Sequence, residues 1–198
     1  MIDSVLLSDV WHALRDGRAR PARVADTAEE HVAVLELSDT RRAVSPHIGI
    51  LERLLEGASS QQVAIRYCLG ISTITVAAGD ALESMGIARR PSRVPALVVL
   101  AFQAAQLESK ARARAATNGT TLELRFPRCD RQPSASLSTF EALVLRLVVE
   151  GNGHEEVAQL CSLARRATAN RIAGIYRTLG VSGRRELVVQ LARQALAS

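Results

Sequence analysis

The sequence predicts a mainly α-helical chain built from two four-helix units in tandem. Three observations carry that prediction. The 198 residues are 47% hydrophobic but only 3% aromatic, so the core must be made of Ala, Leu, Val and Ile, and Ala and Leu are strong helix formers. Towards the C-terminal end, capping signals, apolar periodicity and glycine stops follow one another at the spacing of four short helices. A shift that carries Glu56-Gly57 onto Glu150-Gly151, 94 positions, brings a weaker copy of the same pattern into register.

The C-terminal unit, residues 137–198, is the clearer of the two. Ser138 precedes Glu141 at capping-box spacing, and Leu143, Val144, Leu147 and Val148 recur at helical intervals. Gly151 supplies the left-handed stop. Short helices are expected at about 154–161 and 164–178. Leu179-Gly180-Val181 then turns the chain into a fourth, at about 184–196. Short helices joined by short connections, the second and third brief, describe a helix-turn-helix unit.

These residues also carry a family resemblance. Leu137-Ser138 with Glu141, Glu150-Gly151, Glu156-Val157-Ala158, Ile175-Tyr176-Arg177, Leu179-Gly180-Val181 and Arg184 align without a gap over residues 137–192. In this set the segment resembles the LuxR/FixJ/GerE-type helix-turn-helix domain. The resemblance implies a bacterial, cytoplasmic, nucleoid-associated transcription regulator that binds double-stranded DNA. It also implies that the fourth helix is a dimerisation surface. The family's usual Thr-Val-Lys is replaced by Ala167-Thr168-Ala169, its following His by Arg171, and its N-cap hydroxyl by Ala164. No operator sequence therefore carries over.

In the first copy Leu51, Val63-Ala64, Leu69, Gly86, Arg90, Val94 and Leu97 fall on Leu145, Val157-Ala158, Leu163, Gly180, Arg184, Val188 and Leu191. Ser45-Pro46 supplies its first helix start, with a one-residue shift, since proline suits the first helical position. Residues 44–105 are therefore read as a diverged unit of the same kind. Upstream of each unit lies an alternating stretch, 31–37 and 120–126, that reads as a short strand. Each strand follows a helix, expected at 4–15 (with Trp11) and at 95–116. A lone strand cannot satisfy its backbone, so the economical arrangement pairs the two and makes the chain a pseudo-symmetric dimer. The expected organisation is thus 1–43 (helix and strand), 44–105 (first unit), 106–136 (helix end, strand and linker) and 137–198 (second unit). Residues 16–30 give no pattern.

A third helix that enters the major groove presents base-reading and phosphate-holding side chains. In the second unit the candidates are Arg165, Arg166, Thr168, Asn170, Arg171 and Arg177, flanked by Arg184. Arg166, Asn170 and Arg177, at spacings of four and seven, share a face, opposite Ile172, Ile175 and Leu179. Arg matches guanine and Asn matches adenine. In the first unit the corresponding positions are Ser72, Thr73, Thr75 and Val76, flanked by Arg66, Arg89, Arg90 and Arg93. Its helix carries −2 from Asp80 and Glu83, against +4 from Arg165, Arg166, Arg171 and Arg177. Two roles stay open for it: a second DNA reader, or a unit that packs on a partner or its twin. For the whole chain the competing reading is an adaptor that binds RNA polymerase, a sigma factor or another regulator. Three roles stay open for the apolar fourth helices: meeting each other within one chain, pairing between chains as a homodimer, or closing the cores of their own units.

Other classes find no support in the sequence. Net charge is +5 with Lys110 the only lysine, which suits a phosphate-rich partner. The histidines (His12, His31, His47, His154) are scattered, with no HExxH, phosphate loop or nucleophile elbow, so no catalytic site, metal or cofactor is expected. Cys68, Cys129 and Cys161 read as small hydrophobes. No 18-residue apolar run and no signal-peptide pattern is present.

Overall fold

The computed structural model describes residues 2–26, 30–38, 40, 43–87, 96–118, 120–127 and 137–197. The elements run β1 (Ile2–Leu6), α1 (Leu7–Arg15), β2 (Ala19–Asp26), β3 (Glu30–Leu37), α2 (Ile48–Leu55), α3 (Ser60–Tyr67), α4 (Ile71–Ser84), α5 (Ala96–Gln106). They continue with β4 (Arg112–Asn118), β5 (Thr121–Pro127), α6 (Thr139–Val149), α7 (His154–Leu160), α8 (Arg165–Thr178) and α9 (Arg184–Ala197). The strands form one antiparallel sheet in the order β1-β4-β5-β3-β2. The fold is therefore mixed helix and sheet, and the mainly α expectation is corrected.

The two expected strands do pair. β3 and β5 run antiparallel at the sheet centre, with Ala33 opposite Leu124 and Leu35 opposite Leu122. All four of these side chains are buried, as are Ala113 and Ala115 of β4, while Glu36, Arg112, Arg114 and Arg125 are exposed on the other face. Hairpins β2–β3 and β4–β5 meet along β3 and β5, so the four-strand order reads alike from either end. β1 is added beyond β4.

Two expectations fail here, and one unassigned stretch finds its element. The helix expected at 4–15 starts at Leu7, because residues 2–6 form a strand that supplies β4 with a backbone partner, Val5 opposite Ala113. The expected long helix ends at Gln106. Glu108 then adopts a left-handed φ of 49°, and Arg112–Asn118 becomes a strand whose Arg/Ala alternation puts alanines inward. Alanine's helix propensity is overridden by that two-residue period. Residues 19–26, which gave no pattern, form β2. Its alternation is broken by a register shift between Pro21 and Arg23, and proline is tolerated because the strand is an edge.

Helices α2–α4 and α6–α8 form two three-helix units that coincide under the 94-residue shift: α4 (Ile71–Ser84) falls on α8 (Arg165–Thr178) end to end. The pairs Leu51/Leu145, Val63/Val157, Ala78/Ile172 and Ala81/Ile175 are all buried. Backbone specials repeat as well. Gly57 and Gly151 have φ of 104° and 97°, Gly86 and Gly180 have 79° and 67°, and Cys68 and Ser162 have 54° and 53°. Glycine suits the first four because a Cβ is strained in that region. The capping box predicted at Ser138 is present. The Glu141 amide donates to Ser138 Oγ at 3.3 Å and the Ser138 amide to Glu141 Oε2 at 3.0 Å. The Ser138 hydroxyl also donates to Glu141 Oε2 at 2.7 Å, and this bond, followed by that from the Ser138 amide, holds the Glu141 carboxyl below its ordinary range.

A single large core runs from α1 through the sheet and α5 into the second unit, and Trp11 meets Phe102 edge-on at 5.1 Å. The first unit keeps a smaller core of its own, built from Ile50, Leu54, Val63, Ala64, Ile74, Ala77 and Ala78. Helices α5 and α9, the fourth helices of the two units, pack on each other within the chain, which buries Leu97, Leu100, Ala104, Leu187, Val188 and Leu191. Of the arrangements open to these faces, the chain shows the one in which they meet each other within a single copy.

Polar groups stitch the units together at helix ends, where carbonyls lack helical partners. Buried Gln103 of α5 donates from Nε2 to the Leu55 carbonyl at 2.8 Å and accepts from Arg193 Nε at 2.8 Å. Arg193 Nη2 also reaches the Glu56 carbonyl at 3.4 Å, and Arg185 Nη1 the Ala58 carbonyl at 3.1 Å. α9 therefore closes the C-terminal end of α2 in the other unit. Burial works against the Arg185 charge and lowers its pKa. Among the described residues no helix is long and apolar enough to cross a membrane.

Candidate nucleic-acid interface

The face of α8 follows from its sequence. Thr168, Ile172 and Ile175, at spacings of four and three, are buried and dock the helix on α6 and α7. That leaves Arg165, Arg166, Asn170, Arg171 and Arg177 exposed on the remaining surface. No acid interrupts the helix, and no carboxylate among the described residues lies within ion-pair distance of Arg165, Arg166 or Arg177. The outcome is a helix with one apolar, docked face and one cationic, solvated face.

Two of these side chains are partly oriented already. The Arg171 guanidinium sits over the Phe140 ring, 5.1 Å from its centroid, which fixes it beside the start of α6. Arg177 Nε approaches the Ala173 carbonyl at 3.4 Å and stays exposed. Arg166 and Asn170 are exposed towards the N-terminal half of the helix. A planar guanidinium donates bidentately to phosphate or to guanine O6 and N7, and an asparagine amide both donates to and accepts from adenine.

Two candidates are corrected. Thr168 is fully buried and its hydroxyl donates to the Ala164 carbonyl at 3.2 Å, so it closes the first turn of α8 rather than facing a groove. Arg184 is half-buried. Its Nε donates to the Val148 carbonyl at 2.8 Å and its Nη2 to the Val149 carbonyl at 3.2 Å, capping α6. Thr168 belongs to the buried side of α8 and Arg184 ties α9 to the end of α6; neither extends the α8 face. Phe140, Arg185 and Arg193 were not foreseen. Nothing in local spacing marks a ring that underlies an arginine 31 residues away, or an arginine that caps a helix of the other unit.

The first unit presents a different surface. Ser72, Thr73 and Thr75 are exposed on α4 as expected, but the Thr75 hydroxyl already donates to the Ile71 carbonyl at 3.0 Å. Around them Ile65 (72%), Ile71 (53%) and Val76 (50%) are exposed, together with Tyr67 and Leu69. α4 carries no cation at all. Arg90, with its neighbours Arg89 and Arg93, lies outside the described residues, as does Cys129. The two units thus share a backbone plan and differ in the chemistry of their third helices.

No protein-family model, curated protein or solved structure matches this chain.

Proposed function

We propose that the protein is a sequence-specific DNA-binding transcription regulator whose α6–α9 unit is a LuxR-type helix-turn-helix domain, with α8 entering the major groove. The observation that carries this reading is the exposed Arg165, Arg166, Asn170, Arg171 and Arg177 set on a helix whose opposite face is buried and which holds no acid. An ordinary solvated helix face mixes the signs of its charges. Phosphates would be held by the outer arginines, and base edges read by Arg166 and Asn170.

The uncharged, partly apolar α4 favours packing over duplex reading for the first unit, since a helix without cations gains nothing from counterion release. The adaptor reading, in which the chain acts through RNA polymerase or another regulator, draws on that same surface. A cytoplasmic, nucleoid-associated location belongs to the DNA-binding reading. Selection of the full chain against a pool of random duplexes tests it. The expected result is one compact motif containing a guanine and an adenine at adjacent steps. A recovered pool indistinguishable from the input would remove α8 from base reading.

A further inference from the structure

We infer that Gly174 is a point of close approach between α8 and a bound duplex, and that its missing side chain sets how deep the helix lies in the groove. The inference rests on the reading of α8 as the groove helix and adds to it a position with no base-reading or phosphate-holding group of its own.

Gly174 stands in the interior of α8, the tenth of its fourteen residues. Its backbone is ordinary right-handed helix, unlike that of Gly180 beyond the helix end, where φ is positive. No packing requires it either. A Cβ at this position would meet nothing within 4 Å beyond its own helical surroundings. Proline apart, glycine is the poorest residue for a helix interior, and here neither conformation nor packing within the chain calls for it. A bare stretch of helix backbone does suit a partner that must come close to it.

Helical phase identifies the partner. Positions 166, 170, 174 and 177 follow at spacings of four, four and three, so Gly174 shares a face with Arg166, Asn170 and Arg177 and lies away from buried Ile172 and Ile175. These neighbours differ in reach. An arginine spans a wide gap to a phosphate, whereas an asparagine amide ends two bonds beyond Cβ and reads adenine only where the helix backbone lies close to the bases. One turn beyond Asn170, any side chain at position 174 would meet the groove before Asn170 reached its base. The first unit supplies the contrast. Under the 94-residue shift the same position of α4 is Asp80, a carboxylate that would stand against a phosphate strand. The opening belongs to the helix that also carries the cations.

Fluorescence anisotropy of the full chain on a selected duplex and on a scrambled one, with a thermal melt of each variant, tests the inference. Gly174→Ala is expected to raise the unfolding midpoint by about 2–4 °C, as a better helix former does in a chain of this size, and yet to weaken the selected duplex by roughly tenfold, as overpacking a close contact does. Gly174→Leu is expected to bring the selected duplex down to the affinity of the scrambled one. The salt dependence should persist, since the arginines still reach phosphate. Adding Asn170→Ala to Gly174→Leu is expected to lose nothing further, because the asparagine no longer reaches a base. A wild type that binds no duplex at low salt, or that binds both alike, removes base reading by α8 and this inference with it. If the wild type discriminates and Gly174→Leu discriminates equally well, base reading stands and the inference is overturned. An equal loss on both duplexes also overturns it, because the change would then act on the phosphate contacts or the fold and not on depth.

Discussion

Replacing Arg166, Asn170 and Arg171 together with alanine is expected to lower duplex affinity by at least about 100-fold, since each well-made bidentate base contact contributes roughly 1–3 kcal/mol. Stability should change little. Arg166 and Asn170 are exposed with no packing role, and only Arg171 loses a contact, its position over Phe140. A cation–π pair at an exposed site contributes about 0.5–1 kcal/mol, a small part of the roughly 5–15 kcal/mol of a folded domain. The measurement pairs a fluorescence anisotropy titration with a urea melt of the same preparation. Undiminished binding in a folded triple variant would remove α8 from the interface.

The largest stability effect is expected at Gln103. Its side chain is buried, and it joins α5, the end of α2 and α9 in one set of hydrogen bonds. Gln103→Leu keeps the approximate volume but leaves the Leu55 carbonyl without its donor and Arg193 Nε without its acceptor. An unsatisfied buried polar group costs about 1–3 kcal/mol, so a loss of roughly 2–3 kcal/mol is expected in the urea midpoint. Arg193→Met should cost less, about 1 kcal/mol, because Gln103 Nε2 stays bonded to the Leu55 carbonyl and only its Oε1 loses a donor. Equal losses from the two changes would mean that the α9 contact, and not the carbonyl, is what matters at this junction.

Much of the architecture was legible because it rests on local periodicity. The α8 boundaries, its Ile172 and Ile175 face and the Ser138 cap all follow from residues within a turn or two of one another. The β3–β5 pairing came from the need of two isolated strands for partners, and it sits at the sheet centre. What escaped was set by contacts distant in sequence. Residues 4–6 read as helical and became part of β1 because β4 offers an edge. The Arg112–Asn118 alternation was masked by alanines, which favour helix by propensity and pack inward in the strand by size.

The candidate site shows the same division. Thr168 is in phase with Ile172 and Ile175, so the helical period that marked the core face of α8 already placed this threonine on it. Residue type pointed to DNA, and phase pointed to the core. Arg184 could not be sorted this way, because its carbonyl partners lie 35 and 36 residues upstream. The apolar exposure of Ile65 and Ile71 likewise needed the packing of α3 on α4, which decides which side chains remain outside.

The central claim, that the cationic face of α8 holds a duplex, is tested most directly by the salt dependence of binding. The full chain is titrated onto a duplex over a range of salt concentrations, and the logarithm of the association constant is plotted against that of salt. Three to four arginines on phosphate predict a slope of about −2.7 to −3.6, since each neutralised phosphate contributes roughly −0.9. No binding at low salt, or binding with a slope near zero, would contradict the account.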